Sequence, residues 1–202
     1  YYYLTDDIDF EGMEIASFGS EETAFTGVLD GNGHKLLNLQ TTNGIFAHLK
    51  GTVCNLYLDN ITNSADFTKT TIYSVGAIAY QNSGLIQECV VNSALIGTRV
   101  GGIVYSNSGT IKNCRVIGAV SGNGNYPNDT WAAGVCIENR GNISTVYVAA
   151  TIKASAKYNF AVAAGIARYH TGIIENCLAI GDVTAAAGIP LDTIVTSACA
   201  GR

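Results

Sequence analysis

The chain has 202 residues, 48% of them hydrophobic and only 13% charged, a composition that supports a buried core and excludes intrinsic disorder. Its formal net charge is −5, with 11 basic residues spread thinly, which excludes nucleic acid as an expected partner, since counterion displacement takes a concentrated basic surface. No apolar run approaches the ~18–20 residues of a helical membrane span, so no membrane insertion is expected.

The first residues, Tyr1-Tyr2-Tyr3-Leu4-Thr5-Asp6-Asp7, carry no initiator Met, basic segment or apolar leader. The chain reads as a fragment of a longer protein. Asp6, Asp7 and Asp9 form an acidic run that could attract calcium. A second cluster of oxygen ligands is missing, so a solvated surface is the expectation. Residues 25–39 follow, with Asp30-Gly31-Asn32-Gly33 as a turn between two β-rich runs.

A repeat then sets in. The segments 44–53, 77–86, 102–111, 134–143 and 165–174 align without gaps on the pattern G-I-x-x-x-x-x-G-x-I, with Ala77 opening the second. The second glycines, Gly51, Gly84, Gly109, Gly141 and Gly172, are spaced by 33, 25, 32 and 31 residues. Fixed local pattern with variable spacing predicts coils joined by loops of different length. Six before the glycine stand Ile45, Ile78, Ile103, Val135 and Ile166; two after it, Val53, Ile86, Ile111, Ile143 and Ile174. Seven after it stand Leu58, Val91, Val116, Val148 and Ala179. Stacked coils ~4.8 Å apart turn such columns into inner aliphatic ladders. Four after the glycine, Asn55, Glu88, Asn113, Thr145 and Asn176 sit where the in/out alternation slips, which predicts a left-handed corner. The glycine itself is expected to make the other sharp bend.

The expected fold is all-β: a parallel β-helix of about six to seven coils. It forms one domain over 1–202, with opening coils in 1–42, repeats in 43–183 and a partial coil in 184–202.

Candidate chemistry is sparse. Cys89, Cys114 and Cys177 share a column with Leu56 and Val146, which reads as interior; a Cys89–Cys114 bridge is the lesser alternative. Cys54 falls on an outward column, Cys136 in a repeat strand and Cys199 in the tail. No C-x-x-C, H-E-x-x-H, G-x-S-x-G or P-loop is present, so no metal site, cofactor or catalytic set is expected. Lys112 and Glu175 share one outward column two coils apart, a loose pair insufficient for acid–base catalysis. The outward column six after the glycine carries Tyr57, Val90, Arg115, Tyr147 and Leu178, where Tyr57, Arg115 and Tyr147 could bind a sugar or protein or form an ordinary exposed row. The loop 122–131 adds Tyr126 and Trp131, the only tryptophan, as further binding candidates.

The run Phe25-Thr26-Gly27-Val28-Leu29-Asp30-Gly31-Asn32-Gly33-His34-Lys35-Leu36-Leu37-Asn38-Leu39, followed by units such as Gly101-Gly102-Ile103-Val104-Tyr105-Ser106-Asn107-Ser108-Gly109-Thr110-Ile111-Lys112-Asn113-Cys114, resembles the GLUG-repeat proteins. These are bacterial surface proteins that include the N-terminal β-helical region of IgA-peptidase-type proteins. The resemblance implies a right-handed helix, secretion and cell-surface display. The expected function is a non-catalytic repeat module of a secreted or surface protein, a rigid spacer and adhesin-like surface for a glycan or host protein. End-to-end association of stacks is a further expectation. The alternatives are an accessory region that positions substrate for a larger metallopeptidase and a polysaccharide-degrading β-helix enzyme.

Overall fold

The computed structural model describes residues 1–63, 72–124, 129–188 and, as backbone, 195–197. It is all-β, with no helix among those residues. Every strand pairing among them is parallel. Each coil contributes successive strands to four sheets, and each strand pairs with its equivalent one coil away. This is the stacking expected of a parallel β-solenoid.

One repeat defines the sheets. Leu85–Gln87 belongs to sheet I, which has seven strands. Val90–Gly97 belongs to sheet II, with eight. Arg99–Gly101 and Val104–Asn107 belong to sheets III and IV, each with five. Seven strands in sheet I mean seven rungs, beginning at Tyr2–Tyr3 and ending at Ile173–Glu175. A small three-stranded sheet lies beside the first coils.

The inner ladders are where the columns place them. Ile78, Ile103, Val135 and Ile166 are fully buried, as are Val53, Ile86, Ile111 and Ile143. Register joins them directly, Val53 to Ile86 to Ile111 to Ile143 to Ile174. Cys89, Cys114 and Cys177 are buried among the core side chains, and no disulfide joins Cys89 to Cys114. Contact with Cys114, then burial, holds the Cys89 thiol well above its ordinary range. Burial, then the nearby Glu138 carboxylate, pushes Cys136 up. All four are packing groups in the core, and at Cys89 and Cys136 the thiolate, the reactive form, is disfavoured. Cys54 departs from its outward placement: it is buried, flanked in register by Asp30 and Gln87.

The corner between sheets I and II is left-handed in each of the five repeats. Asn55, Glu88, Asn113, Thr145 and Asn176 have φ of 52°, 56°, 54°, 54° and 52°. A β-branched residue there crowds its own carbonyl, whereas Asn and Gly tolerate the region. Asn113→Gly is therefore expected to change stability by less than about 1 kcal/mol, and Asn113→Val to destabilise by ~1–2 kcal/mol. Urea denaturation of the two variants checks this; equal losses would remove the dihedral explanation.

The repeat glycine is not a left-handed bend, contrary to expectation. None of Gly51, Gly84, Gly109, Gly141 and Gly172 has a positive φ. The requirement is space. A Cβ on Gly109 would overlap the carbonyl oxygen of Gly84, one on Gly84 that of Gly51, and one on Gly141 that of Gly109. The turn between sheets IV and I stacks backbone directly on backbone, and only hydrogen fits between.

The turn is held from inside by a polar element. Asn82, Asn107 and Asn139, each two residues before the repeat glycine, are fully buried. Asn82 Nδ2 donates to Asn107 Oδ1 at 2.8 Å, and Asn107 Nδ2 to Asn139 Oδ1 at 2.8 Å. Asn139 Nδ2 donates onward to the carbonyl oxygens of Gly141 and Ile173. Buried amides cost stability unless paired, and each coil pairs the next.

Candidate functional site

Two aromatic–cation arrangements lie on different faces of the outer surface, and a third contact sets Lys157 Nζ 4.9 Å from the Tyr158 ring centroid. The first runs along sheet II. Lys35, Tyr57, Val90, Arg115, Tyr147 and Leu178 are consecutive register partners. Lys35 Nζ lies 4.8 Å from the Tyr57 ring centroid, and the Arg115 guanidinium 5.4 Å from that of Tyr147. Tyr57 and Tyr147 are half-buried and Arg115 is exposed. The predicted row exists, but each ring already has a cation against it, and Val90 separates the pairs.

The second lies where sheets III and IV meet. The outward side chains of sheet III include Arg99 and Trp131, which are register partners. Sheet IV supplies Tyr80, Tyr105, Ile137 and Arg168 from successive coils. The junction is concave toward the outside: an outward Cβ on Gly101 would collide with the carbonyl oxygen of Val104, three residues on. Small residues at this crease let large ones pack over it. Tyr105, Ala133, Ile137 and Ala164 form a second apolar cluster apart from the core, with Tyr80 and Trp131 against it. Tyr80 and Tyr105 stack in parallel, centroids 4.9 Å apart and planes at 3°. Burial, then the neighbouring Tyr105 and Glu138, holds the Tyr80 phenol above its ordinary range, so it stays neutral.

Trp131 belongs to the strand Thr130–Ala133, not to a free loop. The Arg99 guanidinium packs 3.8 Å from its ring centroid and that of Arg168 3.9 Å. Trp131 is therefore on a different face from Tyr57, Arg115 and Tyr147, and these four predicted residues do not form one site. Tyr126 lies outside the described residues, as does Cys199. Sequence reasoning passed over Arg99, Tyr80, Tyr105 and Arg168. The two tyrosines share a column four before the repeat glycine, a signal that was readable.

Beside this crease, sheet IV presents a polar column one residue along each strand: His48, Gln81, Ser106 and Glu138. It borders a shallow hollow of about 270 Å³ lined also by Lys50, Ser83 and Arg140. Glu138 is paired with Arg140 at 3.1 Å.

The candidate charged residues are spread over separate coils. Lys112 and Glu175 flank Ser144 in register, two rungs and so about 10 Å apart. At the first coils, Asp7 accepts from the Lys35 amide at 2.9 Å and Asp9 from Asn38 Nδ2 at 2.9 Å. These bonds hold both carboxyls below the usual range and tie the first coil to the second. Set against family models, curated proteins and solved structures, the chain matches none of them.

Proposed function

We propose that the chain is a non-catalytic binding module: a rigid stack that holds an outer surface for a glycan or protein, as in secreted or surface-displayed bacterial proteins. The observation that carries this reading is the aromatic crease between sheets III and IV. Tyr80, Tyr105 and Trp131 form an apolar cluster outside the core, and the stack would keep its ladders without it. Large aromatic side chains gathered in a concave outer crease, with amide and hydroxyl groups alongside, are the usual makings of a recognition surface. The stacked coils fix their separation at one rung, so the surface is preorganised and binding orders little.

The test is a glycan array and a surface-protein binding screen on the intact chain, with turnover assays on every ligand found. Saturable binding without turnover is expected. Cleavage of a polysaccharide or protein by the purified chain would overturn the non-catalytic reading, and absence of binding to either class would overturn the module reading.

A further inference from the structure

We propose that the crease between sheets III and IV binds a carboxylate-bearing glycan, with Arg99 and Arg168 as the carboxylate ligands. This deepens the binding-module reading and rests on it.

Acidic residues outnumber basic ones, 16 to 11, so an arginine has carboxylates available. The other charged contacts use them: Arg140 pairs with Glu138, and Lys35 lies 3.8 Å from Asp59. Among the described residues, neither Arg99 nor Arg168 has a carboxylate partner. Both are instead laid against one indole, and centroid distances of 3.8 and 3.9 Å place the two guanidinium carbons within about 8 Å of each other. Holding two like charges that close is unfavourable unless something offsets it. The indole offsets part; an anion would offset the rest. The Nε of Arg99 is moreover buried without a hydrogen-bond partner. A guanidinium pinned by stacking presents its N–H fork in a fixed direction, the geometry that matches a carboxylate.

The surroundings favour sugar over peptide. The strands here, Val104–Asn107 and Thr130–Ala133, are interior to their sheets and paired on both sides. At those two strands an extended peptide would find no free backbone groups to join; Ala167–His170, which carries Arg168, is the last described strand of sheet IV. Beside the arginines lie groups suited to hydroxyls, Gln81, Ser106 and the exposed ring of Tyr169, with Glu138, itself paired with Arg140, between the last two. A chain of pyranose rings lying along the stack would meet these at rung intervals, with carboxylates on neighbouring sugars reaching the two arginines.

The sole tryptophan lies between the two arginines and reports on them. The intact protein is titrated with galacturonate oligomers and followed by tryptophan fluorescence. Saturable quenching or enhancement that weakens with salt is expected. Methyl-esterified oligomers of the same length should give no signal. The double variant R99Q/R168Q should bind at least tenfold more weakly with an unchanged denaturation midpoint, and R99K/R168K, which keeps charge but loses the fork, should fall between. The assignment is overturned if R99Q/R168Q binds the acidic oligomer as tightly as the wild type, if esterified oligomers bind equally, or if polyglutamate or a sulfated glycan binds more tightly. Neutral glycans retained by R99Q/R168Q would remove this ligand class and leave the binding module standing. Failure of the wild type on glycans and proteins alike would remove both.

Discussion

Gly109→Ala should destabilise the stack by about 3 kcal/mol or more, far beyond the usual cost of exchanging these two residues. The cause is local and rigid. The added methyl would point into the Gly84 carbonyl oxygen and the Ser83–Gly84 backbone. Neither neighbour is a side-chain tip that can rotate away. The Thr110 amide donates to that same Gly84 carbonyl at 2.9 Å, so opening the gap stretches a hydrogen bond of the ladder. Gly141 stands above with its own Cβ direction aimed at Gly109, and the displacement passes to the next coil. Gly33→Ala is the control: its φ is +81° but no atom lies within 4 Å of the added methyl, so only dihedral strain of roughly 1–2 kcal/mol is expected. Urea midpoints and slopes of the two variants separate the mechanisms. A Gly109→Ala loss no larger than that of Gly33→Ala would mean that the coils are not stacked backbone on backbone.

The second large effect is electrostatic. In the Asn82–Asn107–Asn139 ladder, Asn107 accepts from one neighbour and donates to the other. Asn107→Asp keeps the shape but, when ionised, cannot donate. Its second oxygen would face the Asn139 oxygen in a site closed to water. The folded state then favours the protonated acid, which can donate, so the introduced carboxyl has its pKa raised above the unfolded value of ~3.9. A group raised on folding keeps its contribution below the unfolded pKa and loses it as pH rises through the folded pKa. The difference between variant and wild type should therefore be small near pH 3.5 and grow through pH 5–7 to about 3 kcal/mol. Asn107→Ala leaves the Asn82 donor and the Asn139 acceptor unpaired, and should lose about 2 kcal/mol at every pH. Denaturation of the three proteins across that pH range is the measurement. A flat profile for Asn107→Asp would show that the amide chain is replaceable by water.

The inner ladders and the left-handed corner were readable because both are written column by column in a gapless repeat. Isoleucine recurs where a β-branched side chain fills the interior, and Asn recurs where φ is near 55°. The glycine column was readable as a requirement but not as a mechanism. A close approach and a positive φ select the same residue, and only the stacked carbonyls distinguish them. The Asn82 ladder was missed, since alternation rules send an amide outward, although its recurrence two before the glycine is a readable signal. The crease was the least legible. Arg99 and Trp131 lie at the far end of the variable segments, where coil lengths differ and gapless alignment stops. Their register with each other, and the reach of Arg168 across the crease from the next coil, depend on how the loops close. The row of Tyr57, Arg115 and Tyr147 was legible because it sits six after the glycine, inside the fixed part of the repeat.

The parallel stacking also determines how the molecule responds to force. Each coil is bonded to its neighbours along the stack but connected to them covalently at one crossing only. Traction on the two ends loads the outermost coil first and peels it bond by bond, while the coils behind it carry little of the strain. A coil occupies about 4.8 Å of the stack, yet its 25–33 residues release roughly 80–120 Å of chain when drawn out. Under tension the stack lengthens in discrete steps, one coil at a time, and absorbs work at each step while the coils still folded keep their outer surface intact.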